Sequence, residues 1–148
     1  MCLGPYMLLL TLTSGYINNI EKQRKISKRK EKTMIRRKEE QTIVYECICG
    51  GKGETEERHI LNDEKELYGK GWLFDHMILQ PGDSLGYHVH NNDNEVFYIL
   101  SGTCEYNDNG TVSTLKAGDT AICNIGEGHG MVNTGDVPLE FIALILYK

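Results

Sequence analysis

Long hydrophobic runs are missing from this chain of 148 residues. The most apolar stretch near its start, Tyr6–Leu12, is far shorter than the roughly 20 residues that cross a bilayer. The same region lacks the basic leader and the small-residue cleavage site of a secretory signal. We therefore expect no membrane insertion.

The sequence also lacks a C-x-x-C pair. Its cysteines number five, and an odd number without such pairs favours reduced thiols over a disulfide framework. Cys47 and Cys49 resemble half of a zinc site, but no second Cys or His pair lies near them, which favours a structural role. We expect the protein to be cytoplasmic.

A sustained helical period is missing from residues 41–148, where β-branched and aromatic runs alternate with turn residues every ~8–12 positions. This pattern predicts one all-β domain, a sandwich or a barrel. Asn107–Gly110 is the strongest hairpin turn. The predicted strands outside the histidine-containing segments are Thr42–Cys49, Arg58–Leu61, Trp72–Leu79, Thr103–Tyr106, Thr111–Leu115 and Leu139–Tyr147.

Charge divides the chain unevenly. Residues 21–40 hold ten Lys/Arg and four Asp/Glu, whereas residues 41–148 hold six Lys/Arg and seventeen Asp/Glu. We expect residues 1–40 to be a disordered or appended tail, with residues 1–33 dispensable for folding. A basic arm for nucleic acid or acidic lipid is the alternative for the tail. The acidic domain itself repels phosphates, so we expect no nucleic-acid partner.

The most informative segment runs from Gly82 to Gly102. His88 and His90 are two residues apart, so both imidazoles face the same side of an extended chain. Asn91–Asn94 are suited to a hairpin turn, which would place His90 opposite Glu95. Two imidazoles and a carboxylate converging in this way predict a divalent metal site.

A second segment, Gly118–Asn133, contributes His129 after a glycine-rich turn. The spacings of Gly, His-x-His, Glu and Gly in the first segment, and of Gly, Gly, His and Asn in the second, resemble the two motifs of the cupin superfamily. Asn124 stands where that family usually has proline. The resemblance covers residues 41–147, is closest to small single-domain bacterial cupins, and implies a jelly-roll β-barrel. It also implies the metal ligands His88, His90, Glu95 and His129.

Such a ligand set leaves an octahedral ion with two open positions, as in catalytic metal sites. We expect one divalent transition metal per chain, with Mn or Fe favoured and Ni, Zn or Cu as alternatives. Alternation predicts that Phe97, Ile99 and Met131 form an apolar pocket wall. No acid or base stands out beside the metal. Four residues could lie near the site, although an ordinary strand or turn role is the favoured interpretation for each: Asp75, Tyr87, Tyr106 and Asn133. His59 and His76 are expected outside the site.

The resemblance does not select a reaction. The favoured hypothesis is a metal-dependent enzyme, of oxidase, dioxygenase or decarboxylase type, acting on a small carboxylate or keto acid. The alternative is a non-catalytic cupin that binds or senses a small molecule. A storage or scaffold role is disfavoured by the complete ligand set, and the lid sequence of bacterial oxalate decarboxylases is missing.

The strand predicted at Thr42–Cys49 is apolar on both faces, and Phe141–Leu146 is apolar throughout. An uncovered apolar edge strand can pair with another chain. We therefore expect a two-fold homodimer through these strands, with the metal pockets facing away from the interface.

Overall fold

The computed structural model describes residues 34–148, and within them ten strands form two antiparallel sheets. The larger sheet has six strands in the order β1-β2-β3-β10-β5-β8, and the smaller has four in the order β4-β9-β6-β7. Residues 1–33, the predicted tail among them, lie outside the described part. The strands are β1 Ile43–Glu46, β2 Thr55–His59, β3 Gly71–Leu79, β4 Ser84–Val89, β5 Asp93–Ser101, β6 Thr103–Asp108, β7 Thr111–Lys116, β8 Thr120–Cys123, β9 Gly128–Asn133 and β10 Leu139–Tyr147.

The core forms where the inner faces of the two sheets meet. Leu79, Phe97 and Phe141 from the larger sheet pack in one cluster with Cys104 and Met131 from the smaller sheet. Along β10 burial alternates, so that every second side chain enters the core and the others lie on the outer face. The predicted all-β jelly roll is confirmed. The apolar residues of β10 lie alternately in two environments, the buried core and the outer face of the larger sheet.

The predicted hairpin at Asn107–Gly110 is also confirmed. Strands β6 and β7 pair from Thr103↔Lys116 to Asp108↔Thr111. In the turn that joins these strands, Asn109 has a φ of 49° and Gly110 a φ of 91°. Two consecutive positive φ angles match the right-handed twist of the flanking strands, which explains the preference for Asn-Gly.

The first predicted strand is too long. The pairing of β1 with β2 ends at Glu46, and Ile48–Gly50 form a 3₁₀ turn in which Cys49 has a φ of 52°. This turn packs closely on β4, since a Cβ added to Gly86 would lie 2.0 Å from the carbonyl oxygen of Cys49. Contact with β4 therefore bends a segment whose β-branched composition favours extension.

The second predicted strand, Arg58–Leu61, begins too late. β2 spans Thr55–His59 and pairs with β1 and β3. Its alternation consists of polar residues, with Thr55 and Glu57 buried and Glu56 and Arg58 partly exposed. Hydrophobic periodicity does not reveal such a strand.

The predicted hairpin between His90 and Glu95 is wrong. Strand β4 pairs with β9 in the smaller sheet, whereas β5 pairs with β10 and β8 in the larger one. The chain crosses between sheets at residues 90–92. Glu95 lies opposite Cys123 and Ile145 instead of His90.

A bulge in β4 decides which of its side chains face inward. Leu85 pairs with Met131 and His88 with His129, so one extra residue lies on β4 between these pairs. Unbroken alternation from the buried Leu85 would turn Tyr87 inward and His88 outward. The extra residue reverses this order, and half of the Tyr87 side chain is exposed.

The four cysteines within residues 34–148 are free, with Cys47 and Cys49 exposed and Cys104 and Cys123 buried. A pairing of any of these four with Cys2 falls outside the described residues. Among residues 34–148, the helical segments are too short and too polar to cross a membrane.

We expect Gly86→Ala to destabilise the domain. The added methyl group would press on backbone atoms of Cys49 and Gly51, which cannot rotate away as a side chain can. Overpacking of this kind typically costs about 1–3 kcal/mol. Urea denaturation of variant and wild type measures the difference in free energy of unfolding, and equal midpoints would contradict the close packing of the turn on β4.

Candidate metal centre

Four side chains from both sheets converge inside the barrel. His88 lies on β4, His90 directly after it, His129 on β9 and Glu95 on β5. One potential ligand atom from each lies within 4.8 Å of all the others. These are the four residues that the resemblance implied, and the structure brings them all together.

The facing atoms are the Nε2 atoms of the imidazoles and one carboxylate oxygen. Nε2 of His129 lies 3.1 Å from Nε2 of both His88 and His90. Oε2 of Glu95 lies 2.9 Å from Nε2 of His129, 3.3 Å from that of His90 and 3.7 Å from that of His88. The cluster therefore presents three nitrogens and one oxygen to a common point.

Each imidazole is oriented through its other nitrogen. Nδ1 of His88 donates to the carbonyl oxygen of Gly86 at 3.0 Å, and Nδ1 of His90 donates to the carboxylate of Asp93 at 2.7 Å. Nδ1 of His129 lies 2.8 Å from the hydroxyl oxygen of Tyr106. A proton held on Nδ1 leaves the lone pair of each Nε2 available for a metal ion, which is the tautomer that a metal ligand needs. Without the ion, an imidazole that gains a second proton carries it on Nε2 and can donate to Glu95.

A third layer holds these anchors. The indole nitrogen of Trp72 donates to the second carboxylate oxygen of Asp93 at 2.8 Å. Phe97 stacks on His129 with ring centroids 5.0 Å apart and planes 16° apart. His129 is thus fixed by a hydrogen bond at one edge and by packing on a face, and His90 by a carboxylate that Trp72 holds in place.

The electrostatics of the cluster keep its carboxylate ionised. Burial raises the pKa of Glu95, but hydrogen bonds from His129, His88 and His90 outweigh burial and hold that pKa well below its usual range. The same bonds to Glu95 raise the pKa of His88 and His90 against the opposing effect of burial. A buried negative charge surrounded by imidazoles favours a cation at the centre.

The donor set suits a divalent transition metal. Imidazole nitrogen and carboxylate oxygen together favour ions of intermediate softness, and hydrogen-bonded Nδ1 atoms are the usual support of metal-bound histidine. The four residues can therefore hold such an ion.

A cavity of about 270 Å³ opens beside the cluster. His88, His90 and Glu95 line it, so an ion held by the cluster is within reach of a ligand. Lys and Arg are missing from its lining. Its apolar wall consists of Ile48, Leu73, Met77, Leu85, Trp72 and Ile145.

The prediction that Phe97, Ile99 and Met131 form the pocket wall is wrong. All three are buried in the core outside the cavity lining, and Phe97 stacks on His129. Alternation gives their side of the sheet correctly, but it does not show how far along the barrel the cavity extends.

The residues considered near the site divide into two groups. Tyr106 contacts His129, so it belongs to the metal centre. Asn133 instead donates to the carbonyl oxygens of Leu79 and Val137, and Asp75 is bonded to His59.

His59 and His76 lie outside the cluster, as predicted. His59 bonds Asp75 at 2.7 Å, and His76 bonds Glu140 at 2.8 Å. The His59–Asp75 pair lies on the inner face with Asp75 buried, whereas the His76–Glu140 pair lies on the outer face.

Sequence reasoning missed one acidic residue, Glu57. It is 4% exposed, lies on β2 and lines the cavity. Its strand reads Thr-Glu-Glu-Arg-His, which gives no apolar signal. Only the pairing of Glu57 with Met77, a core residue of β3, places it on the inner face.

The departure at Asn124 is accommodated locally. The backbone and side-chain amides of Asn124 both donate to the carboxylate of Glu127, at 2.7 and 3.0 Å. The amide of Glu127 donates back to the carbonyl oxygen of Asn124 at 3.0 Å. The backbone bond from Glu127 to Asn124 thus closes a β-turn, and the Glu127 carboxylate holds the amides of Asn124, so the turn forms without proline.

Known proteins share this architecture. A family model described as Cupin domain matches residues 75–145. The "Oxalate-binding protein" of Thermotoga maritima is 44% identical over 97 residues, which cover 66% of this chain and 79% of that protein.

Solved structures agree in fold. A predicted oxalate decarboxylase from Thermotoga maritima has a TM-score of 0.73 at 40% identity, covering 78% of this chain and 100% of that one. A conserved protein with a double-stranded β-helix domain from Klebsiella pneumoniae has a TM-score of 0.58 at 26% identity, covering 78% and 91%. Together with the two motifs and the jelly-roll topology, these likenesses show that the chain belongs to the cupin family.

Proposed function

We propose that His88, His90, Glu95 and His129 bind one divalent transition metal ion, with Mn or Fe favoured over Ni, Zn or Cu. The support is the convergence of three Nε2 atoms and one carboxylate oxygen, each imidazole being held at Nδ1. When bound, such an ion polarises a coordinated carboxylate or keto oxygen, and a redox-active ion also supports electron transfer.

We expect His90→Ala to lower the metal-to-protein ratio from about one toward zero, because one of the few protein ligands is removed. The barrel should remain folded, since its core lies beyond the cluster. Elemental analysis of protein purified without nickel measures the ratio. His76→Ala removes a histidine that binds Glu140 on the outer face and should leave the ratio unchanged. Equal metal contents in His90→Ala and wild type would contradict the assignment.

The ligand we propose for this metal is a small carboxylate, with oxalate as its first candidate. The cavity is small and partly apolar, and the ionisable groups on its wall are Glu46, Cys49, Glu57, His88, His90, Asp93 and Glu95. With no Lys or Arg among them, an anion entering this cavity requires positive charge from the metal. The name of the Thermotoga maritima relative supports oxalate in particular.

A second candidate function is an enzyme of oxidase, dioxygenase or decarboxylase type acting on the bound carboxylate or keto acid. The observation that favours it is the position of the cluster at the cavity wall, where His88, His90 and Glu95 leave an ion accessible to a ligand. Product analysis for carbon dioxide, formate and peroxide separates this function from simple binding.

We expect oxalate binding to depend on the metal. Calorimetry should detect oxalate binding to the manganese-loaded protein and none after chelation, because the cavity then offers mainly negative charge. The His90→Ala variant should behave like the chelated protein, and His76→Ala like wild type. Equal affinity with and without metal would refute the proposed mode of binding.

We also propose a cytoplasmic protein without a nucleic-acid partner. The four described cysteines are free thiols, and residues 41–148 carry a net negative charge. Free thiols are typical of a reducing compartment, and a negatively charged domain repels phosphates.

For assembly, we propose a homodimer through the outer face of the larger sheet. Ile142 and Leu144 on β10 lie on this face together with the exposed Ile43, Tyr45 and Tyr98. Exposed apolar side chains favour a protein interface, and β1 adds an unpaired edge. The Glu56–Arg58 ion pair on β2 lies between the β1 and β10 residues of this face. The metal centre lies on the inner face of the same sheet. Val44 of the same strand lies opposite Glu57 and faces inward, so a substitution at Val44 would not test this interface.

We expect light scattering to give about twice the chain mass of 16.8 kDa. Tyr45→Lys should shift the protein toward monomer, because it puts a charge into the apolar face. Val112→Lys, at an equally exposed valine on β7 of the other sheet, is the matched control and should stay dimeric. A wild-type protein that remains monomeric at micromolar concentration would refute the dimer.

A further inference from the structure

Glu57 is an unusual buried acid. Its side chain is 4% exposed and lines the cavity, yet Oε1 has no hydrogen-bond partner. Burying a polar atom without a partner costs free energy, so such atoms in native proteins generally have a functional or structural reason. A ligand in the cavity would supply the missing partner.

The surroundings of Glu57 favour a proton on it. Burial raises its pKa first, and a hydrogen bond to Glu46 raises it further, to about 8. The charges of Glu46, Asp75 and Glu95 act in the same direction. The two leading causes lie outside the metal cluster. The titratable groups on the elements around Glu57 are Glu46 on β1, Cys49 in the following turn, His59 on β2, Asp75 on β3, His88 on β4, His90 directly after it, and Asp93 and Glu95 on β5.

Glu46 and Glu57 differ in exposure. Glu46 is exposed at the end of β1, whereas Glu57 is buried on the adjacent strand. Two adjacent carboxyl groups that share one proton avoid placing two like charges side by side. When Glu57 donates its hydrogen bond to another acceptor, water can hydrate the exposed carboxylate of Glu46. No buried charge is then left unpaired.

We propose that Glu57 donates a hydrogen bond from its protonated carboxyl group to a carboxylate oxygen of the bound ligand that the metal does not hold. This proposal rests on the proposed function. The cavity joins Glu57 to His88, His90 and Glu95, so one small anion can meet both groups. A neutral carboxyl group is a donor, and its bond to a carboxylate is short and strong. An ionised Glu57 would instead repel the anion.

The consequence is a pH-dependent affinity with a defined sign. Oxalate binds to the form with protonated Glu57, so its dissociation constant rises as the pH passes upward through the pKa of Glu57. This pKa is about 8 without the metal and lower beside a divalent cation. Between about pH 6.5 and about pH 9.5 the protonated fraction therefore falls by at least about 30-fold, and the affinity should fall with it. Glu57→Gln keeps a donor in the same shape but cannot ionise.

The experiment is calorimetric titration of oxalate into manganese-loaded, full-length protein across this pH range. The wild type should lose at least about 30-fold in affinity. Glu57→Gln should bind at low pH and change little with pH, while Glu56→Gln removes the neighbouring carboxylate from the outer face and should follow the wild type. Hydroxide that binds the metal at high pH would weaken oxalate binding equally in Glu56→Gln and Glu57→Gln. The difference between the two variants therefore reports on Glu57 alone.

A second variant keeps the test independent of how well Glu57→Gln folds. Glu46→Gln changes an exposed residue, removes its negative charge and replaces the carboxylate acceptor of Glu57 with a weaker amide oxygen. It should move the midpoint of the affinity profile to lower pH. An oxalate-binding wild type with a flat profile, or a Glu57→Gln profile like that of wild type, overturns the role of Glu57 alone. A manganese-loaded wild type that binds no oxalate at any pH overturns the proposed ligand and its recognition together.

Discussion

The ionised carboxylate of Glu95 is the constraint on which the interior of this barrel depends. A buried negative charge is tolerated only with close compensation, which three imidazoles provide here. To reach Glu95, the histidines must come from the opposite sheet, so the site exists only when the barrel is closed. The bulge in β4, the anchor at Asp93 and the hydroxyl group of Tyr106 are all consequences of aiming three Nε2 atoms at one point.

The two sheets contribute differently to this arrangement. The smaller sheet supplies His88 and His129 as a directly opposed pair, so their spacing is fixed by strand pairing. The larger sheet supplies Glu95, next to the central strand β10, where pairing on both sides makes the backbone rigid. His90 lies at the crossing between the sheets and needs a side-chain anchor instead. Rigid strands on both sides of the cluster make it suited to hold an ion of fixed size.

The sequence predicted the composition of the site better than its geometry. The ligand set came from motif resemblance, and the Asn-Gly hairpin and strand β10 from local chemistry. The hairpin placing His90 opposite Glu95 was wrong because a short polar connection fits a crossing between sheets as well as a tight turn. Glu57 escaped notice because strand β2 is polar on both faces, and only its pairing with the core strand β3 shows which side is buried.

Charge balance connects the metal with the acidic wall of the cavity. Glu46, Asp93 and Glu95 line the same space as Glu57, so the cavity without a cation is a poor place for an anion. A divalent ion at the cluster offsets part of this charge, and a proton on Glu57 removes another part close to where a ligand would lie. By formal charge, the ion offsets two of the four carboxylates on this wall, and the proton neutralises a third. Under the proposed function, the acidic residues would make carboxylate binding conditional on both the metal and the proton, which is a source of selectivity that a basic pocket would lack.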